Sequence, residues 1–134
     1  MNRELERAIG AQDIPLRVLL FASLGPGVAW GLHFNLVYFL TALYCSMGRT
    51  GADVPIYIST GVLMLVALLA GWTALRNWRR LGKGARLTDA ERGPTGRTTL
   101  LLFIGMASSV LFSLIILVEG LAPLFLPPCS PTGV

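Results

Sequence analysis

Two cysteines are the residues whose spacing points most directly to chemistry. Cys45 ends one apolar stretch of the sequence, and Cys129 lies just beyond another. Cys45 follows Arg17 by 28 residues and Cys129 follows Arg97 by 32, so both thiols lie at a similar height above a basic boundary. We favour a disulfide between them. Two unrelated free thiols or a shared metal are the alternatives, and two thiolates without further ligands make a poor metal site.

Three polar residues interrupt the apolar stretches: His33, Asn35 and Glu119. Such groups are costly inside a membrane and often mark function. His33 precedes Cys45 by 12 residues and Glu119 precedes Cys129 by 10, which puts the two ionisable groups at one height. The spacing therefore allows a hydrogen bond between them. The helical phase is less favourable, because at roughly 100° per residue His33 points about 120° away from Cys45.

His33 is the single histidine of the chain, so a haem held by two histidines is excluded for one copy. A haem with one histidine ligand and a quinone contact remain as alternatives. We expect a neutral imidazole that is hydrogen-bonded within the helices or to a neighbouring subunit.

No phosphate-binding loop, metal-ligand cluster or nucleophile–base pair is recognisable in the sequence. The serines of the third apolar stretch have no base nearby, and serines in such helices usually bond back to backbone carbonyls. We therefore expect no enzyme activity, no catalytic residue and no resident cofactor or metal.

Three long apolar stretches must position these residues. Each is long enough for the roughly 20 residues of a transmembrane helix. We predict an all-α, integral membrane three-helix bundle in a single domain, with spans at about 18–44, 56–76 and 98–122 and a basic loop at 77–97. Pro26 should bend the first helix and Pro123 should end the third.

The basic residues predict the orientation of the bundle. Seven of the eleven lie between positions 76 and 97, and three lie before the first span, whereas the first loop has only Arg49. The positive-inside rule therefore places the N-terminus and the second loop in the cytoplasm, and the C-terminus outside.

Small residues at four-residue spacing predict where the helices approach one another. They are Gly27 and Gly31 on the first helix and Gly105, Ser109 and Ser113 on the third. Gly27, Gly31, Tyr38 and Cys45 lie near one face of the first helix, which suggests that this face packs on the third helix.

Composition excludes other classes of protein. The chain has 134 residues, of which 54% are hydrophobic and 13% charged, well below the roughly 25% charged residues of soluble domains. Its basic residues flank apolar segments instead of forming a face for nucleic acid, so we expect no nucleic-acid partner. The first apolar run is too long for a cleaved signal peptide, and no small-residue cleavage site follows it.

Two stretches of the chain carry a resemblance to a known group of proteins. They are Trp30-Gly31-Leu32-His33-Phe34 with the later Tyr38 and Cys45, and Glu119-Gly120-Leu121-Ala122-Pro123 leading to Pro127-Pro128-Cys129. In these stretches the chain resembles small bacterial three-span proteins that are encoded among the genes for cytochrome c oxidase subunits and assembly factors.

The resemblance implies an accessory, non-catalytic transmembrane subunit of a respiratory complex in the bacterial inner membrane, with lipid and larger membrane subunits of a haem–copper oxidase as partners. A membrane assembly factor that holds copper or haem transiently is one alternative. A small oligomeric channel or transporter is another, although it would call for more intramembrane polar groups or for repeats.

The charge asymmetry gives a testable topology. A reporter that is active only outside the cytoplasm should be active when it is fused after Val134, and a fusion placed at Lys83 should be inactive. The opposite pattern would contradict the predicted orientation.

Overall fold

The protein is an antiparallel bundle of three long helices. The computed structural model describes residues 14–49, 51–81, 94–126 and 129. They form three α-helices in chain order, namely α1 (Leu16–Ser46), α2 (Asp53–Arg80) and α3 (Pro94–Phe125). Each helix contacts both of the others. The predicted all-α class and the three helices are confirmed.

All three helices are long and apolar enough to cross a membrane. At 1.5 Å per residue the 31 residues of α1 span about 46 Å, more than the roughly 30 Å of a hydrocarbon core. The protein is therefore a multi-pass membrane protein. The helices also extend further than the predicted spans, because α2 continues to Arg80 and α3 begins at Pro94, inside the stretch predicted as a loop. Proline suits the first position of a helix, where its missing N–H is not needed.

The turn between α1 and α2 depends on two glycines. Gly48 and Gly51 have positive φ angles of 61° and 96°, which side-chain-bearing residues rarely adopt. The chain reverses within the few residues of this turn, so α2 runs antiparallel to α1. α3 then runs parallel to α1.

Two clusters of buried side chains show how the helices are aligned. One contains Ala22, Ala74 and Leu102, near the start of α1 and the end of α2. The other contains Ala29, Ala67 and Ile116, in the middle of the bundle. We call the end nearer the first cluster the basic end and the opposite end the disulfide end.

The buried core is made mainly of alanine, and most of the large apolar side chains point outwards. Among the described residues, six of the nine buried hydrophobic residues are alanines, whereas Leu24, Tyr38, Val118 and many other large side chains are exposed. This distribution is the reverse of a soluble protein. It suits a bundle in lipid, where helices associate through close backbone approach and their outer faces meet acyl chains.

Pro26 and Pro123 do not end the helices that contain them. α1 continues through Pro26, and α3 continues past Pro123 to Phe125, so the prediction that Pro123 ends the third helix was wrong. A proline removes one N–H but has a φ angle compatible with a helix. Leu126 still donates its backbone N–H to the carbonyl of Ala122.

The small residues predicted on α3 lie at its closest contacts. A Cβ atom on Gly105 would collide with the backbone carbonyl oxygen of Ala22, and this is the carbonyl that Pro26 leaves without its helical donor. Ser109 is buried and donates its hydroxyl to the carbonyl of Ala67 on α2, 2.7 Å away. Ser113 is also buried, and its hydroxyl has no hydrogen-bond partner among the described residues.

The predicted packing face of α1 was only partly right. A Cβ atom on Gly27 would lie 3.6 Å from the ring of Phe112 on α3, so this glycine does face the third helix. Gly31 has nothing within 4 Å of its Cβ position, and Tyr38 is exposed. The buried stripe of α1 instead follows Ala22, Pro26, Ala29 and His33. Four-residue spacing alone did not identify which of several small-residue rows faces the partner helix.

The contrast between Gly105 and Gly31 gives a stability prediction. Gly105→Ala should destabilise the bundle by about 1–3 kcal/mol, because backbone must move to admit the methyl group. Gly31→Ala is the matched control, which should be neutral or stabilising by up to about 1 kcal/mol, as glycine is a poor helix former. Unfolding of each variant in detergent would measure the difference, and equal effects would contradict the close contact at Gly105.

Candidate functional site

His33 lies at the centre of a polar cluster inside the bundle. It continues the buried stripe of α1, four residues after Ala29, and its exposed fraction is 0%. Its Nε2 atom lies 2.9 Å from Thr60 Oγ1 on α2, and its Nδ1 atom lies 3.2 Å from Glu119 Oε2 on α3. One imidazole therefore connects all three helices.

The hydrogen bonds around Thr60 depend on the tautomer of the imidazole. Thr60 has one hydroxyl proton, and two acceptors lie within reach of it: the carbonyl oxygen of Ile56 at 2.8 Å and Nε2 of His33 at 2.9 Å. When the proton goes to Ile56, Nε2–H of His33 donates to Thr60 Oγ1. When it goes to Nε2, the imidazole carries its own proton on Nδ1 and donates it to Glu119. Both ring nitrogens lie within hydrogen-bond distance of a partner in either case.

Glu119 has a second partner on α1. Trp30 donates its indole N–H to Glu119 Oε1 at 3.2 Å, and its ring stacks on Phe112 with centroids 5.5 Å apart. Trp30 precedes His33 by three residues, so both reach α3 from one side of α1. The side chain of Glu119 is nevertheless 30% exposed, in contrast to the fully buried His33. The side chain of Glu119 is thus partly accessible from outside the bundle, while both of its oxygen atoms have partners on α1.

Gly120 makes the close approach at this level possible. A Cβ atom there would collide with the side chain of Thr60. α3 therefore lies directly against α2 beside the cluster, and Thr60 and Glu119 both come within reach of one imidazole. Gly71 has the same role nearer the basic end, where a Cβ atom would collide with Ser109.

Cys45 and Cys129 form a disulfide, with a Cα–Cα distance of 5.4 Å. This agrees with the pairing favoured from the sequence, and neither cysteine is free in the structure. Cys45 is exposed near the end of α1, whereas His33 is buried. The two residues therefore lie on different faces of α1, as their helical phase predicted. Cys129 follows the end of α3 at Phe125, and the phase of α3 therefore does not restrict its position.

Asn35, the third polar residue predicted within the spans, does not join the cluster. Its side chain is exposed and donates to the carbonyl of Gly31 on its own helix at 2.7 Å. The amide thus satisfies one donor locally without a partner helix.

Trp30 and Thr60 were not predicted from the sequence as parts of the site. A threonine in an apolar span has a common local use, since its hydroxyl can bond back to its own helix, as Thr73 does to Ala70. The available signal for Trp30 was its position three residues before His33. Trp30 also belongs to one of the stretches that carry the family resemblance, but the resemblance implies no role for it.

The cluster is a hydrogen-bond network that links side chains of all three helices. Within residues 14–49, 51–81, 94–126 and 129, no group of three or more His, Cys, Asp or Glu side chains could hold a metal ion. No protein-family model, no curated protein and no solved structure matches this chain.

The bond between Thr60 and His33 can be tested by one substitution. Thr60→Val keeps the shape of the side chain but leaves Nε2 of a buried imidazole without a partner, which should destabilise the bundle by about 1–2 kcal/mol. Thr73→Val is the control, because Thr73 bonds only to its own helix, and its effect should stay within about 0.5 kcal/mol. Equal losses in detergent unfolding would show that the hydroxyl of Thr60 does not support His33.

Proposed function

We propose that the protein is an accessory, non-catalytic transmembrane subunit that docks against the larger membrane subunits of a respiratory complex, a haem–copper cytochrome c oxidase. The partly exposed side chain of Glu119, an acidic residue inside an apolar helix, carries this proposal. The sequence resemblance supports the choice of partner and the bacterial inner membrane as location. The distribution of basic residues supports the predicted orientation, with the N-terminus in the cytoplasm.

The side chain of Glu119 is partly exposed within an apolar helix, where lipid acyl chains offer no hydrogen bonds. Inside the bundle, Trp30 donates a hydrogen bond to the carboxyl group of Glu119, and His33 lies within hydrogen-bond distance of it. About 30% of the surface of the Glu119 side chain is nevertheless exposed. A carboxyl group that meets acyl chains loses hydrogen bonds that water would otherwise supply. A neighbouring transmembrane helix with a hydrogen-bond donor would add a further bond to the carboxyl group, because each carboxyl oxygen can accept more than one. Polar contacts of this kind help to hold membrane helices together.

The other reactive groups are already engaged within the bundle. An assembly factor would need Cys45, Cys129 or His33 as ligands for copper or haem. The two cysteines are joined to each other, and both nitrogens of His33 have partners. This arrangement favours the accessory subunit over the assembly factor.

The proposal is tested by purifying the tagged chain from native membranes in mild detergent. Wild-type protein should bring the oxidase subunits with it in equal amount. Glu119→Gln should reduce this recovery several-fold. Glutamine can still accept the N–H of Trp30 and donate to Nδ1 of His33, so the bundle should keep its fold while the carboxyl group that faces the partner is lost.

Asn35→Ala is the matched control, because it removes an exposed polar side chain that bonds only to its own helix. It should leave recovery of the partner unchanged. If oxidase is absent from the wild-type preparation, the proposed partner is wrong. If Glu119→Gln and Asn35→Ala retain the partner equally, Glu119 does not form the contact.

A further inference from the structure

A groove on the outer face of α2 lies near the basic end of the bundle. Its walls are Trp72, Leu75, Arg76 and Arg79, and its volume is about 230 Å³. These positions are spaced at three, four and seven residues from Trp72, so they share one face of the helix.

This face looks away from the other two helices. The side of α2 that packs in the bundle holds Ala67, Ala70 and Ala74, whereas Trp72, Arg76 and Arg79 are exposed. The groove thus opens away from the bundle at the basic end of α2. The apolar part of that surface, Leu75 and the ring of Trp72, lies on the side nearer the middle of α2.

The two guanidinium groups have no acidic partner within the described residues. The contact between His33 and Glu119 lies nearer the disulfide end. Among the described residues, Arg76 and Arg79 therefore present positive charge without an acidic neighbour, next to an apolar wall. Their position near the C-terminal end of α2 suits the helix dipole, but it does not neutralise them.

We infer that this groove binds the headgroup of an anionic phospholipid. Arginine side chains match the geometry of a phosphodiester and can donate two hydrogen bonds to it. Tryptophan is favoured at the level of the headgroups. An acyl chain can then follow Leu75 and the ring of Trp72 into the hydrocarbon region. Basic pockets beside transmembrane helices bind acidic headgroups in this way.

The site does not depend on the proposed function. It lies on α2 near the basic end, whereas the proposed docking contact at Glu119 lies on α3 towards the disulfide end. A lipid bound there would occupy the leaflet at the basic end, which is the cytoplasmic leaflet in the orientation predicted from the sequence.

Native mass spectrometry of the purified full-length protein tests the inference. The probes are phosphatidylglycerol and phosphatidylcholine with identical acyl chains, added together to protein stripped of lipid. The wild-type protein should retain phosphatidylglycerol with a preference on the order of tenfold, because the two arginines of the groove act together on a headgroup with net negative charge, which phosphatidylcholine lacks. The double variant Arg76→Gln/Arg79→Gln should lose most of this preference.

Arg17→Gln/Arg97→Gln is the matched control. It removes the same charge from exposed arginines at the same end of the bundle, on α1 and α3 and outside the groove. This variant keeps Arg76 and Arg79 in the groove. Its preference for phosphatidylglycerol should therefore stay within about twofold of the wild-type preference. An equal loss in the two double variants would mean diffuse attraction to basic charge and would overturn the inference. So would a wild-type protein that retains both lipids equally.

Discussion

A buried imidazole that must be hydrogen-bonded without water is the constraint on which the rest of this bundle depends. His33 has no exposed surface, so each of its nitrogens needs a protein partner. Thr60 supplies one from α2 and Glu119 supplies the other from α3. The three helices can meet these requirements only at one relative height. Gly120 permits that height because it has no side chain to push α2 away.

The remaining contacts maintain the same alignment along the bundle axis. Near the basic end, Gly105 fits against the carbonyl of Ala22, and small buried residues let the backbones approach. Beyond His33, a disulfide joins the end of α1 to the segment after α3. The interior is therefore fixed by small residues and by one polar cluster. The large apolar side chains remain on the outside, where lipid and partner helices can meet them.

The sequence predicted well how high each residue lies along the bundle axis. It predicted poorly how each helix is rotated about its own axis. Apolar length located the three helices. Counting from basic boundaries put Cys45 level with Cys129, and counting back from the two cysteines put His33 level with Glu119. Which side of each helix faces inwards depends on contacts between helices, and four-residue spacing could not choose between the row containing Gly31 and the row containing Ala29. Thr60 was missed for the same reason, since its hydroxyl matters only once α2 is rotated towards His33. The function and the orientation stay predictions.

The central claim is that His33 is held between Thr60 and Glu119, and ¹⁵N NMR of the protein in lipid bilayers tests it most directly. Because the chain has one histidine, ¹⁵N-histidine labelling reports on this imidazole alone. The Nε2 signal should shift in Thr60→Val, the Nδ1 signal should shift in Glu119→Gln, and neither should shift in Thr73→Val. Ring signals that are the same in all of these proteins would contradict the account.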